Sequence, residues 1–335
     1  MIKSDEKMFI TSEYDGYELR YPKLLELSNK QIEQQMWFAS EVRVEEEDRL
    51  EMLYKLTPLQ QKVVKAILPM FRKYEDNVAD FWIDVFMRYF LSHECKEGAV
   101  VIAMMERAVH ERFYDKINKV FGTDTDEHYL SYLQDPVFKE RAKWLGETLK
   151  NEDKHLVCLV YGLVEGVSLF SMFALLRSFQ ANGYNLITTT VKGTKQSSID
   201  ELLHSEYLAT AFNYLYQERG ISLEEDVYYY NKLLEQTYNV VANEKYILTQ
   251  LIGAEGSFNG VSIEKYFELI EYLSNVYFTR LGCTKLPFPD VEDSELYSWF
   301  VSTSVGYSDP DFFGKGLGKE YETAWNKSGF GKVWN

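Results

Sequence analysis

The stretch that decides the fold is LVCLVYGLVEGVSLFSMFALL, residues 156–176. It is apolar on nearly every side of a helix, which is typical of a helix buried in a protein core. Glu165 stands in the middle of this stretch. A buried ionised carboxylate is costly unless it is paired or binds a metal. Glu165 is therefore either neutralised by a core partner or a metal ligand.

Long stretches without proline surround this segment and favour helices. Proline is absent between Pro69 and Pro136 and between Pro136 and Pro287, and an interior proline costs a helix about 3 kcal/mol. Thr57 and Pro58 are a typical N-cap and first-turn pair. Caps, apolar spacing and glycine stops predict helices over about residues 58–90, 94–120, 153–182, 198–218, 223–251, 261–281 and 292–304.

One short strand is also predicted, because residues 186–191, LITTTV, are rich in β-branched side chains. The fold class predicted from the whole pattern is nevertheless all-α. We expect one helical domain over residues 1–313 and a C-terminal tail over residues 314–335. The sequence shows no repeat, linker or low-complexity segment.

Composition and charge exclude several classes of protein. The 335 residues are 46% hydrophobic and carry a net charge of -16, so a nucleic acid or an anionic membrane would repel the chain. The three cysteines are far apart, which argues against a disulfide scaffold or a thiolate metal site. The N-terminus lacks an apolar signal segment. We therefore expect a soluble, cytoplasmic protein with neither a nucleic-acid nor a membrane partner.

Acidic residues and histidines recur on the predicted helices at spacings that suit a metal site. Glu201 and His204 are three residues apart and Glu106 and His110 four apart, so each pair shares one helix face. Four helices together offer six candidate ligands: Asp76, Glu106, His110, Glu165, Glu201 and His204. Two single carboxylates with two Glu/His pairs form the ligand set of ferritin-like proteins, which suits iron or manganese. We therefore predict a ferritin-like helical bundle with a dinuclear metal site in a four-helix core.

At these residues the sequence resembles the small subunit of class I ribonucleotide reductase, over about residues 20–313. The motifs that carry the resemblance are WFASEV at 37–42, HERFY at 110–114, Glu165, DELLH at 200–204 and RLG at 280–282. The resemblance implies two metal ions, iron or manganese with iron favoured, that activate oxygen and oxidise a tyrosine. It also implies a homodimer and a large catalytic subunit that receives the radical and makes deoxyribonucleotides.

Three further residues acquire roles through the resemblance. Tyr114, four residues after His110, matches the tyrosine that carries the stable radical. Asp200 matches an aspartate that hydrogen-bonds a metal-bound histidine, and Trp37 matches the tryptophan to which this aspartate is linked. Taken singly, each is equally consistent with an ordinary core aromatic or a solvated aspartate.

The first Glu/His pair departs from the family pattern. The family spacing, ExxH, would place a glutamate at position 107, where this sequence has Arg107. Either an irregular turn such as a π-bulge brings Glu106 to the metals, or the site lacks one carboxylate. We favour Glu106, with Arg107 turned away towards an acidic group, because two cations repel a guanidinium. In the tail, which also departs from the family, the sequence does not identify a relay residue among Tyr321, Trp325 and Trp334.

Two other functions suit the same ligands. A stand-alone dimetal oxidase or oxygenase would need a substrate cavity beside the metals, but would not need Trp37, Asp200 or the tail. A metal-storage or purely structural bundle would use the carboxylates only to hold iron. A tyrosyl radical signal after addition of ferrous iron and oxygen would favour the reductase subunit over both.

Overall fold

The structure, a computed structural model, describes residues 10–13, 16, 18–44, 46–134, 136–291 and 294–305. Its longer helices are Pro22–Gln34, Glu46–Tyr54, Pro58–Asp80, His93–Met104, Glu111–Phe121, Pro136–Lys150, Lys154–Leu163, Phe170–Arg177, Thr188–Arg219, Val227–Ile252, Ile263–Arg280 and Glu295–Val305. Shorter helical turns are Met87–Tyr89, Asp126–Tyr129, Ser131–Gln134, Ser178–Gln180 and Gly253–Glu255. The strands Ser257–Phe258 and Val261–Ser262 pair as a small antiparallel hairpin. The all-α prediction is confirmed.

Four helical runs pack together around the centre of the molecule. We call residues 58–89, 93–121, 154–180 and 188–219 the first, second, third and fourth site helices. Each of the first three is interrupted by a π-helical turn, a local insertion that is frequent at functional sites. These turns are Phe81–Phe86, Met105–His110 and Val164–Ser168. The tail, residues 314–335, lies outside the described residues, so the domain division stays a prediction.

The third site helix is the core of the molecule. Lys154–Gln180 is long and apolar enough to cross a membrane, but 94% of its most apolar 18-residue window is buried inside the protein. Leu163, Phe170 and Phe173 are fully buried, and burying one such side chain contributes about 1.5–3 kcal/mol. Residues 154–180 therefore form a core helix.

The ends of the first two site helices follow the sequence signals. Thr57 accepts a hydrogen bond from the backbone N–H of Gln60, whose side chain bonds back to the Thr57 N–H. This reciprocal pair satisfies two N–H groups that the first turn leaves free. Gly122 ends the second site helix at φ 68°, a left-handed conformation that glycine adopts without steric cost.

The strand predicted at residues 186–191 is wrong, and the fourth site helix begins earlier than predicted. It starts at Thr188, ten residues before the predicted start at about residue 198. The cause is a distant carboxylate: Asp48 accepts hydrogen bonds from the Thr190 N–H and hydroxyl, each at 2.7 Å. Because Asp48 satisfies N–H groups at the positive end of the helix, this tertiary contact overrides the local preference for a strand.

The close packing of the third site helix predicts a large effect of one added methyl group. A Cβ on Gly162 would lie 1.9 Å from the Tyr277 hydroxyl, which is buried and bonded to the Leu159 carbonyl. We expect Gly162→Ala to lower the free energy of unfolding by about 1–3 kcal/mol through overpacking. Gly146→Ala is the control, because it meets nothing within 4 Å and should be neutral or stabilising. Urea denaturation of both variants tests this, and equal stabilities would contradict it.

Candidate metal centre

Six buried side chains of the four site helices meet in the middle of the bundle. They form two groups of four that share two members, and within each group the candidate ligand atoms lie within 4.8 Å of one another. The first group is Glu75, Glu106, Glu201 and His110, and the second is Glu106, Glu165, Glu201 and His204. All six side chains are fully buried. Glu106 and Glu201 belong to both groups, and each group would hold one ion.

Both histidines direct Nδ1 at the carboxylates. The Nδ1 atom of His110 lies 3.0 Å from Glu106 Oε2 and 3.3 Å from Glu201 Oε1. The Nδ1 atom of His204 lies 2.7 Å from Glu106 Oε1 and 3.2 Å from Glu201 Oε2. Glu75 lies 3.5 Å from the first of these nitrogens. Each imidazole can therefore join carboxylate oxygens around a common ion.

Several carboxylate oxygens of this cluster are left without a hydrogen-bond partner, which supports a metal site. Both carboxylate oxygens of Glu75, Oε2 of Glu165 and Oε1 of Glu201 are buried without a hydrogen-bond partner. Leaving buried ionised groups uncompensated is costly. Once deprotonated, the four carboxylates would carry a formal charge of four minus, which two divalent cations would balance. The oxygen and imidazole donors fit hard first-row ions such as iron or manganese.

The structure corrects the position of one predicted ligand: Glu75, and not Asp76, lies in the cluster. The Asp76 side chain is one third exposed and pairs with Arg107 on the outside of the bundle. Neighbouring residues on a helix are about 100° apart, so only one of the two can face the core. Phe71 and Val78, four residues before and three after Glu75, are fully buried. That spacing is the signal that would have identified Glu75.

The structure places Glu106 and Arg107 on different sides of their helix. Both Glu106 and His110 lie in the π-helical turn Met105–His110 and face the cluster. Arg107 turns outward, with Asp80 Oδ1 at 2.6 Å and Glu111 Oε2 at 3.3 Å. A π turn holds one more residue than an α turn. It therefore absorbs the extra residue that separates this sequence from the ExxH spacing.

Hydrogen bonds through Asp200 join the cluster to Trp37. Its Oδ2 accepts a hydrogen bond from the Trp37 indole N–H at 2.8 Å and lies 2.9 Å from His110 Nε2. Its Oδ1 accepts a bond from the side-chain amide of Gln31 at 3.0 Å. Because this carboxylate holds the proton of His110 on Nε2, Nδ1 is left free for a metal. Gln31, which the sequence reasoning missed, is a fully buried amide on an otherwise amphipathic helix.

Tyr114 is fully buried beside the cluster. Its ring stacks on Phe71 with centroids 4.6 Å apart, and its hydroxyl donates to Ser197 Oγ at 3.2 Å. Burial, and next the charge of Glu75, raises the pKa of this phenol well above its usual value. The hydroxyl is therefore neutral and shielded from water.

Trp82 is a second contact that the sequence reasoning missed. It lies in the π turn Phe81–Phe86, and its indole N–H donates to Glu165 Oε1 at 2.8 Å. Its ring also lies edge-on to His204, with centroids 6.3 Å apart. Trp82 thereby fixes one oxygen of Glu165 and leaves the other directed at the cluster.

Protons and metal ions compete for this centre. Burial raises the pKa of Glu75 and of Glu165 well above the usual value. For His110 and His204 burial is the largest single influence and lowers the pKa, but the charge of Glu106 and the hydrogen bonds to the surrounding carboxylates together outweigh it and raise both pKa values. These shifts favour the protonated forms in the metal-free protein, and a metal ion must displace the protons.

We therefore expect metal binding to release protons at pH 7 and to weaken as the pH falls. Calorimetric titration with Mn²⁺ in two buffers of different ionisation enthalpy measures the release. The apparent heat should differ between the buffers in proportion to the protons released. Identical heats would show that Glu75, Glu165, His110 and His204 release no protons when the metal binds.

Comparison with known proteins agrees with this geometry. The family model described as ribonucleotide reductase, small chain, matches residues 14–292. No curated protein matched the chain. Among solved structures, the chain is similar to the ribonucleotide reductase R2 subunit from Clostridium botulinum, with a TM-score of 0.74, 17% identity and coverage of 85% of this chain and 89% of that one.

Two further solved structures share the fold. A putative class I ribonucleotide reductase from Bacillus halodurans gives a TM-score of 0.75 at 18% identity, covering 84% of this chain and 99% of that one. The dimanganese(II)-NrdF of Streptococcus sanguinis gives 0.64 at 17% identity, covering 80% and 92%. The family match spans well over half of the sequence, so the chain belongs to the ribonucleotide reductase small-chain family.

Proposed function

We propose that this chain is the radical-generating small subunit of a class I ribonucleotide reductase. Two metal ions would be held by Glu75, Glu106, His110, Glu165, Glu201 and His204. When bound, the ions supply the oxygen-activating redox chemistry, while the protein supplies ligand geometry and a dry pocket. The observation that carries the proposal is the hydrogen-bonded link from a ligand histidine through Asp200 to Trp37.

Tyr114 would store the oxidising equivalent as a tyrosyl radical. Its ring is enclosed by Phe71 on one face and by Phe113 at 5.1 Å, and its hydroxyl meets only Ser197 among the hydrogen-bond partners that the described residues show. This enclosure excludes water and external reductants. A radical on Tyr114 is therefore expected to be long-lived.

Trp37 and Asp200 would carry the oxidising equivalent towards a large catalytic subunit. The Trp37 ring stacks on His110 at 5.7 Å and is only 5% exposed. Asp200 holds both rings by hydrogen bonds to a single oxygen atom. A stand-alone oxidase or a metal-storage bundle has no use for such a link, which is why the reductase subunit is the better proposal.

The assembly would be a homodimer that works with the large subunit in the cytoplasm. This proposal is supported by the family resemblance and by the strongly acidic composition, which an anionic membrane would repel. The tail residues Tyr321, Trp325 and Trp334 lie outside the described residues. Their part in contacting the large subunit is left to experiment.

Electron paramagnetic resonance of the reconstituted protein tests the function. The metal-free protein is loaded with Fe²⁺ or with Mn²⁺ and exposed to oxygen, the manganese form with and without a flavoprotein reductant. A tyrosyl signal in at least one preparation is expected, with iron as the favoured metal. If every metal-loaded preparation lacks the tyrosyl signal, the proposal is wrong and metal storage becomes the better-supported function.

Glu75, which takes the place of Asp76 in the proposed ligand set, and Asp76 itself give a matched pair of variants. Glu75→Ala removes a fully buried carboxylate and should leave at least one of the two ions unbound. Asp76→Ala removes a carboxylate that pairs with Arg107 outside the cluster, and should leave two ions bound. Elemental analysis of the loaded proteins measures this. Two ions in Glu75→Ala, or a loss in Asp76→Ala alone, would reverse the assignment.

A further inference from the structure

A row of aromatic rings leads away from the proposed metal centre along the end of the first site helix and the residue that follows it. It begins at Trp82, whose N–H bonds Glu165. Ring centroids are 4.7 Å apart from Trp82 to Phe86, 4.8 Å from Phe86 to Phe90 and 4.9 Å from Phe90 to Tyr89. We call these four rings the aromatic ladder. It is separate from the link through Asp200, which starts at a different ligand.

The ladder follows from the spacing of its residues. Trp82 and Phe86 lie four residues apart in the π turn, and Phe90 follows as the extended residue that ends the helix, with its ring against that of Phe86. All three are fully buried, whereas Tyr89 is partly exposed. At about 1.5 Å of rise per residue, Trp82 and Tyr89 are about 10 Å apart along the axis. The ladder thus connects the buried centre to the edge of the core.

Tyr89 ends the ladder at a hydrogen-bonded chain that the proposed function does not use. Its hydroxyl lies 2.8 Å from Nδ1 of His155, which is 3% exposed. The other nitrogen, Nε2, lies 2.9 Å from the Tyr216 hydroxyl, and Tyr216 donates to Asp226 Oδ2 at 3.4 Å. Arg219 lies 3.7 Å from the same Asp226 oxygen.

The Asp226 carboxylate, at the far end of this hydrogen-bonded chain, determines which group is the donor in each hydrogen bond. A phenol has one proton, and Tyr216 gives it to the carboxylate of Asp226, so Tyr216 must accept from the Nε2–H of His155. Burial, and to a smaller extent Arg219, lowers the pKa of His155 to about 3, so the ring is neutral at pH 7. Its Nδ1 lone pair is then free to accept the proton of Tyr89.

We propose that Tyr89 is a second oxidisable tyrosine, which gives an electron to the metal centre through the aromatic ladder when Tyr114 does not. The inference rests on the proposed function, because the oxidant is the oxygen-activated dimetal centre. Neutral tyrosine oxidation requires a proton acceptor as well as an electron acceptor, and His155 is in hydrogen-bond contact. A buried histidine with a purely structural role would require neither the aromatic ladder nor a hydrogen-bonded chain in which every donor and acceptor is fixed.

The step balances in electrons and protons. One electron passes from the Tyr89 phenol to the oxidised centre, which is reduced by one electron. The Tyr89 O–H bond breaks and its proton bonds to Nδ1 of His155. The proton on Nε2 moves to Tyr216, whose own proton moves to Asp226. Tyr89 is left as a neutral radical and His155 as a neutral ring.

The test uses the Tyr114→Phe protein, loaded with Fe²⁺ and mixed with oxygen. Freeze-quenched samples should show a transient tyrosyl signal, identified by its narrowing when the tyrosines are ring-deuterated. The signal should disappear when Tyr89→Phe is added. It should persist when Tyr246→Phe is added as the control, since Tyr246 is an exposed tyrosine outside the ladder. Metal content of all variants should be equal.

The outcomes separate the two proposals. If the wild-type protein forms a tyrosyl radical but the Tyr114→Phe protein gives no signal, or one that survives Tyr89→Phe, only the present inference is overturned. If the wild-type protein gives no radical, the proposed function fails and this inference with it. Nitrogen-15 NMR of the metal-free protein is the second measurement. It should show His155 protonated on Nε2, and a proton on Nδ1 instead would overturn the directed chain.

Discussion

Glu106→Ala is expected to leave fewer than two metal ions bound and to abolish the tyrosyl signal, whereas Arg107→Ala should change neither. Glu106 belongs to both ligand groups. One of its oxygens lies 3.0 Å from Nδ1 of His110 and the other 2.7 Å from Nδ1 of His204. Its loss would therefore remove one member from each of the two groups that would hold an ion. Arg107 lies outside the cluster, paired with Asp80.

The pair of variants is well matched, because the two residues are adjacent in one π turn. Both changes remove a charged side chain, and only Glu106→Ala removes one that faces the cluster. Elemental analysis gives the ratio of metal to protein, and electron paramagnetic resonance gives the radical. A fully loaded, wild-type-like centre in Glu106→Ala would show that Glu106 is not a ligand. Metal loss in Arg107→Ala alone would show that the outer ion pairs hold the turn in place.

Most of the helices could be predicted because their signals are local. The Thr57–Gln60 capping box, the glycine stop at Gly122 and the apolar run of the third site helix are each readable within a few residues. The start of the fourth site helix could not be predicted. It depends on Asp48, which lies 142 residues from Thr190 in the sequence.

The sequence predicted which types of residue would form the candidate site, but not always which position on a helix faces the core. Charge and the Glu/His spacing identified the second and fourth site helices. The first offers two adjacent carboxylates, Glu75 and Asp76, and only the facing direction separates them. That direction could have been taken from the buried positions Phe71 and Val78. Residue identity alone favours neither carboxylate.

Irregular turns and long-range contacts account for the features of the site that could not be predicted from the sequence. A π turn depends on tertiary packing, and its position cannot be read from hydrophobic spacing that assumes a regular helix. The bonds from Trp82 to Glu165 and from Gln31 to Asp200 join residues 83 and 169 positions apart. No local pattern encodes such pairs. They appear only once the helices are packed.

Tyr114→Phe is expected to keep two metal ions bound while the stable tyrosyl signal is lost. The substitution removes only the hydroxyl, so the stacking on Phe71 and the filled volume of the core remain. The lost hydrogen bond leaves Ser197 Oγ without that partner, which costs about 1 kcal/mol of stability. This small cost should not unfold the protein.

Tyr266→Phe is the matched control for the same experiment. Tyr266 is also fully buried, and its hydroxyl bonds the Phe258 carbonyl at 3.4 Å, away from the ligand groups. Removing this hydroxyl has a comparable structural cost, so the control should keep both the metal and the stable signal. Metal content and radical yield are measured side by side on the two variants. A stable signal that survives Tyr114→Phe unchanged would place the stored radical elsewhere, and its absence in both variants would mean that loss of any buried hydroxyl disturbs the centre.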